Sequence, residues 1–238
     1  MWMSNVLFLL APYILVLTGH GAEETDLYYY GLEESERSLP RCSAQQACAA
    51  VLQRYWRPRA LVRLCRCARR TRCDTPAPAP AARLIALNNR THLQFCEPVT
   101  DWRMCTFNEK PLSIITSSNH MNPDELEEQH HRNIQLTPPT ITLNCRCHDP
   151  NYWKLNSSSG DTHIYQCASL PLCNTNEFCG NVSFHLYALY QSCVCPKHHI
   201  CVHNGGVPKM HIDELLYNGN GWEAYCQRVE KDYSYEDY

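Results

Sequence analysis

The chain has 238 residues, a net charge of −3 and a mean hydropathy of −0.43, with charged residues at 19% and only nine glycines. The near-neutral charge favours no particular partner, and the glycine scarcity argues against phosphate-cradling loops. Sixteen cysteines, all between Cys42 and Cys226, set the class: a small disulfide-rich, mainly β fold of tandem cysteine-rich modules, with little helix and long loops.

The first segment is an export signal. From Val6 to Thr18 the chain is apolar apart from Pro12 and Thr18, and small Gly19 and Gly21 precede a cleavage point after Gly21. Residues 1–21 therefore read as a secretory signal peptide, because an anchor needs roughly 20 apolar residues. No later stretch is apolar enough to span a bilayer. The mature protein is expected to be secreted into the extracellular space, where thiols oxidise.

Residues 22–41 carry Glu23, Glu24, Asp26, Glu33, Glu34 and Glu36 around Tyr28, Tyr29 and Tyr30. They read as an acidic, tyrosine-rich tail or a removable pro-segment, and residues 227–238 read as a matching tail around Tyr233, Tyr235 and Tyr238. Such segments bury little and are expected to be disordered. Tyrosine sulfation is the sharper reading of both.

The cysteines then repeat. A first module, residues 42–96, runs Cys42-x5-Cys48-x16-Cys65-Arg-Cys67-x5-Cys73-x22-Cys96. A second, residues 168–226, repeats it as Cys173-x5-Cys179-x13-Cys193-Val-Cys195-x5-Cys201-x24-Cys226. Between them, residues 97–167 form a middle module with Cys105, Cys145, Cys147 and Cys167 and a long insertion at 106–139. Six, four and six are even, so each block closes its own bridges in this reading. Zinc ligands usually stand two to four residues apart rather than one, so no metal or other cofactor is expected. Each C-x-C pair can tie one strand to two different neighbours. Each bridge typically contributes about 2–4 kcal/mol, which compensates for the small core of a 50-residue unit.

Local patterns agree with β structure. Ala47 to Leu64 comes nearest to a helix, but Pro58 interrupts it. Val182 to Tyr190, with Phe184, Leu186 and Ala188 alternating, fits a strand, as does Thr140 to Cys147. Residues 75–82 are a proline-alanine spacer. Asn89, Asn156 and Asn181 head glycosylation sequons.

The candidate contact surface lies in the first module. Arg41, Arg54, Arg57, Arg59, Arg63, Arg66, Arg69, Arg70 and Arg72 are clustered, with Tyr55 and Trp56 interleaved. Guanidinium groups raise the potential over a surface, and aromatic side chains anchor interfaces. Arg54, Tyr55, Trp56, Arg57, Arg69, Arg70 and Arg72 are the binding candidates, with Lys197 as an alternative contact in the last module; the equal alternative is that these arginines are a solvated face neutralised by the chain's own acidic tails. No catalytic residue is nominated. The chain has no G-x-S-x-G and no H-E-x-x-H, and the adjacent His130 and His131 cannot share a metal from one helix face. An enzyme is not expected.

Cys173-Asn-Thr-Asn-Glu-Phe-Cys179, followed by Cys193-Val-Cys195-Pro196-x4-Cys201, resembles the large cysteine-rich centipede venom scoloptoxins of family eleven. More distantly, the architecture is similar to Argos-like secreted arthropod antagonists, which sequester an epidermal-growth-factor-like ligand between small disulfide domains. The first resemblance implies a venom toxin that modulates ion channels of excitable cells. The second implies an endogenous regulator that binds a growth factor or receptor. Either way the partner is an extracellular protein, nucleic acid is excluded by compartment, and the chain is expected to act as a monomer.

Overall fold

All sixteen cysteines are paired, and the order of pairing repeats. The first block joins Cys42–Cys65, Cys48–Cys73 and Cys67–Cys96. The last joins Cys173–Cys193, Cys179–Cys201 and Cys195–Cys226. In both, the first cysteine bonds the third, the second the fifth and the fourth the sixth. The two members of each C-x-C pair go to different partners.

This computed structural model describes residues 25–30, 35–68, 71–73, 80–106, 109–117, 123–132, 134, 136–148 and 151–229. Residues 1–21, read as a signal peptide, most of the proline-alanine spacer and residues 230–238 of the last acidic tail lie outside the described residues, as do Arg69 and Arg70.

The middle block is a third copy of the unit. Its bridges, Cys105–Cys145 and Cys147–Cys167, are the first-to-third and fourth-to-sixth bonds of the same scheme. Pro111 and Trp153 occupy the places of the second and fifth cysteines, six residues after Cys105 and Cys147. The backbone confirms the register. Asn144 N–H donates to Pro111 C=O at 3.2 Å, as Leu64 N–H does to Cys48 C=O and Ser192 N–H to Cys179 C=O. Trp153 stands opposite Cys167 across a ladder, as Cys201 stands opposite Cys226. A parallel bridge binds the residue before each block's first cysteine to the middle of its C-x-C pair: Arg41 to Arg66, Met104 to Arg146, Leu172 to Val194.

Each copy is built on one sheet. The first holds β1 (Thr25–Tyr29), β2 (Ala47–Leu52), β3 (Arg59–Arg63), β4 (Leu84–Ala86) and β5 (Thr91–Phe95) in the order β1-β3-β2-β5-β4. The second holds β6 (Leu112–Ile115), β7 (Thr140–Leu143), β8 (Asn151–Ser159) and β9 (Thr162–Ser169) in the order β7-β6-β9-β8. The third holds β10 (Phe178–Ser183), β11 (Leu189–Gln191), β12 (His199–His203), β13 (Met210–Glu214) and β14 (Tyr217–Arg228), with order β11-β10-β14-β12 and β13 on the long β14. Gln45 and Asn176, each three residues before the second cysteine of its copy, both adopt left-handed backbone at φ 60° and 61°.

Several expectations are corrected here. Residues 25–30 form no loose tail: β1 pairs in parallel with β3, and Tyr30 and Leu39 are buried. The acids of this segment face arginines of the first module. Asp26 pairs with Arg54, and Glu36 Oε1 lies 2.6 Å from Nη1 of the fully buried Arg63. The 106–139 insertion also has structure, since it contains β6 and the helix α1 (Pro123–His131), whose Leu126 is buried. The alternating stretch 182–190 is no single strand, because the chain turns between β10 and β11. Likewise 47–64 is the hairpin of β2 and β3, with Pro58 in its turn.

The copies are not separate beads. One apolar cluster takes Leu52, Val62 and Phe95 from the first, Leu112, Ile114 and Ile141 from the second, and Leu186, Tyr190 and Tyr217 from the third. Leu143 N–H donates to Gln45 C=O at 3.1 Å, and Leu215 N–H donates to the Tyr165 hydroxyl at 3.0 Å. Burial pushes Tyr165 up to about 12. Each unit alone buries too little, and sharing a core raises the buried fraction as it does in larger domains.

Candidate functional site

The hairpin tips of the first and third copies converge on one exposed aromatic ridge. The turn from β2 to β3 carries Tyr55 and Trp56, and the turn from β10 to β11 carries Phe184 and Tyr187. Trp56 and Tyr187 are equivalent residues: each lies eight positions after its copy's second cysteine, and each has left-handed backbone, at φ 59° and 52°. Such a conformation in a bulky residue costs free energy and is worth a functional question. Here it turns both side chains outward, leaving Trp56 94% and Tyr187 37% exposed.

The rings touch across the junction. Tyr55 lies 5.2 Å from Tyr187 and 5.5 Å from Trp56, centroid to centroid. Tyr187 continues to Trp222 at 5.6 Å, and His203 stacks on Trp222 at 4.4 Å and 10°. Phe184 packs on the same indole at 5.3 Å. Trp222 is fixed from below by donating Nε1–H to Gly206 C=O at 2.9 Å. Arg90, from the turn between β4 and β5, sets its guanidinium 4.7 Å from the Tyr55 ring. A cation over an aromatic face adds attraction and orients the ring.

The nominated binding residues divide. Tyr55, Trp56 and Arg57 are exposed at one tip and form part of the ridge. Arg54 is corrected: its side chain is only 6% exposed, committed to Asp26 and donating Nε–H to Pro58 C=O at 2.8 Å. A guanidinium already paired inside offers little to a partner. Arg72 is exposed, and its carbonyl accepts from Arg83 at 2.8 Å. Lys197 is exposed beside Cys195 in the third copy. The basic cluster is thus partly structural, and aromatic rather than cationic side chains dominate the shared tip. Tyr187, Phe184, His203, Trp222 and Arg90 were missed from sequence. The equal offset of Trp56 and Tyr187 from the second cysteine is the signal that points to them.

The sequons also differ. Asn156 is exposed on β8, at a bulge where the ladder register shifts between Leu155 and Ser157. Asn181 lies inside β10, paired with Tyr190 and Glu223, and its Oδ1 is buried. Asn89 is exposed, but its Oδ1 accepts from Leu189 N–H at 2.9 Å across the junction of first and third copies.

No family model matches the chain, and no curated protein matches it. Among solved structures, the crystal structure of unliganded Argos matches with a TM-score of 0.51 over 87% of this chain and 100% of that one, at 19% identity. The fold is that of Argos. Nothing in these comparisons supports the scoloptoxin resemblance, which rests on cysteine spacing alone. In the described residues no helix is long and apolar enough to cross a membrane.

Proposed function

We propose that this chain is a secreted antagonist or regulator that binds an extracellular growth factor or its receptor, as the resemblance to Argos-like antagonists implies. The aromatic ridge across the first and third copies carries the reading. Partly exposed Tyr, Trp and Phe on rigid turns are the residues that dominate protein interfaces, because they desolvate a large area at small entropic cost. Bridges at the base of both hairpins hold the tips in place before binding, which lowers the ordering cost. The fold shared with Argos and eight bridges suited to an oxidising compartment support the same reading. An ion-channel toxin has no comparable support.

The test is capture. The immobilised full chain is presented with a panel of secreted ligands that contain epidermal-growth-factor-like domains, and with their receptor ectodomains. One of them is expected to bind, and the double variant W56A/Y187A to bind it at least tenfold more weakly, since an anchor contributes about 2 kcal/mol or more. Equal binding by the folded double variant, or capture of nothing in the panel, overturns the proposal.

A further inference from the structure

A cavity of about 670 Å³ lies where the three copies meet. Its walls include the edge strand of every sheet: Leu84–Ala86 of β4, Asn151–Trp153 of β8 and Leu189–Gln191 of β11. Each of these strands stands at one end of its sheet order, with a ladder neighbour on one side only. An edge strand turns main-chain donors and acceptors outward, and such groups must be satisfied by water, side chains or another strand.

The direction of those groups follows from the ladders. In β11, Ser192 N–H donates to Cys179 C=O and Ala188 C=O accepts from Ser183 N–H, so the even-numbered residues 188, 190 and 192 face β10. Leu189 and Gln191 therefore direct their backbone groups away from it, toward the cavity side. Leu189 N–H is met by the Asn89 side chain. In β4 the same alternation turns Ala86 outward, and its carbonyl accepts from Trp153 Nε1–H at 3.0 Å. Side chains thus meet these two groups, whereas the remaining outward groups of Leu189 and Gln191 have no ladder partner among the described residues.

One wall carries a carboxylate that no side chain among the described residues pairs with directly. Glu214, at the end of β13, lines the cavity, and no side chain among the described residues makes an ion pair or hydrogen bond with its carboxylate. Burial raises its pKa above the ordinary value. Arg146 lines the same cavity from the second copy, but it directs Nη1–H to Thr100 C=O at 3.0 Å. Nearby, the Tyr190 hydroxyl and the Asn88 amide approach one another without closing a hydrogen bond, leaving two buried polar groups unsatisfied.

We propose that this cavity receives an extended peptide segment that adds to the free edge of β11, with a lysine or arginine of that segment against Glu214. Main-chain bonds to Leu189 and Gln191 supply affinity, and the side chain facing Glu214 supplies selection, the usual division in strand addition. The volume falls within the range of pockets that enclose a short ligand. The proposal does not depend on growth-factor binding: any extracellular protein with a basic, extended segment has the required chemistry.

The test uses the full, oxidised chain and a positional library of acetylated, amidated pentapeptides with lysine at the centre. Pool members are expected to bind, to slow exchange of the Gln191 amide proton, and to bind more tightly as pH rises and Glu214 ionises. Methylating the backbone nitrogens on one edge of the best peptide should abolish binding, and on the other edge should leave it intact. E214Q should weaken the lysine peptides about tenfold, as loss of a charge-assisted contact does, and leave norleucine analogues unchanged. Absence of any binding peptide, equal loss from both methylated edges, or indifference to E214Q would each overturn the proposal. Because W56A/Y187A leaves this cavity intact, failure of growth-factor capture and failure of peptide binding are separately readable.

Discussion

Deleting residues 22–41 should destabilise the protein strongly, although the sequence of that segment is that of a dispensable acidic tail. The deletion removes Tyr30 and Leu39, exposed by only 2% and 3%, and full burial of such side chains is worth about 1.5–3 kcal/mol each. It also strips Glu36 from Arg63, whose side chain is 1% exposed. Breaking a fully buried pair costs about 3–5 kcal/mol, and because the Glu36 side chain is 45% exposed about 2 kcal/mol is the better figure here. Together these give about 5–8 kcal/mol, a large part of the 5–15 kcal/mol of an ordinary domain. Urea denaturation of the oxidised protein, followed by near-ultraviolet circular dichroism, measures it. The deletion should lower the midpoint far more than E36Q, which removes the charge alone, and Y30A should fall between them. A deleted protein with the midpoint of the full chain would refute the assignment of β1 to the fold. It would also reopen processing to Cys42 as the natural maturation step.

Other outcomes follow from the same structure. Intact mass before and after reduction should differ by sixteen hydrogens, and alkylation of any cysteine in the unreduced native protein would contradict the pairing. P111C/W153C should form a ninth bridge, read as a further loss of two hydrogens, because these positions match the second and fifth cysteines of the other copies; two free thiols would undermine the third-copy assignment. Glycopeptide mapping should find Asn156 occupied and Asn181 bare, since a glycan at Asn181 would have to leave the interior of β10. Glu214 has a raised pKa, so the unfolded chain ionises first and folding loses stability as pH climbs from the unfolded pKa through the folded one. E214Q should therefore raise the urea midpoint at pH 7 and leave it unchanged at pH 4; an equal shift at both would point to packing rather than charge.

The covalent plan was legible because disulfide chemistry is written in one residue type. Spacing alone placed two copies of the unit, but not which cysteine bonds which, because equal spacings are compatible with many pairings. The third copy was hidden because Pro111 and Trp153 carry no cysteine signal, although they keep the six-residue offset. The strand at Thr25–Tyr29 was hidden for a different reason. Neutralisation of the arginines by the acidic segment was a reading the sequence offered, but which acid meets which arginine, and that the segment is a strand, depends on long-range pairing. Phe184, Leu186 and Ala188 alternate as a strand would, yet the left-handed Tyr187 between them makes a turn, and tertiary contact with Tyr55 fixes where that turn points. Periodicity reports a buried face; it carries no information about which neighbouring copy is touched.

The confinement of every bridge to its own copy has a consequence for biosynthesis. Loop separations run from 20 to 40 residues and none crosses from one copy to the next. Six cysteines allow about 15 pairings and four allow about 3, so a chain oxidised copy by copy as it is delivered faces a small search instead of the millions open to sixteen free thiols at once. The common apolar cluster, by contrast, cannot close until Leu186, Tyr190 and Tyr217 have emerged. Covalent order thus precedes consolidation of the interior, and each early copy must wait, bridged but incompletely covered, for the last. Ribosome-stalled chains ending before Cys173 should accordingly hold native bonds in the first copy while still engaging chaperones.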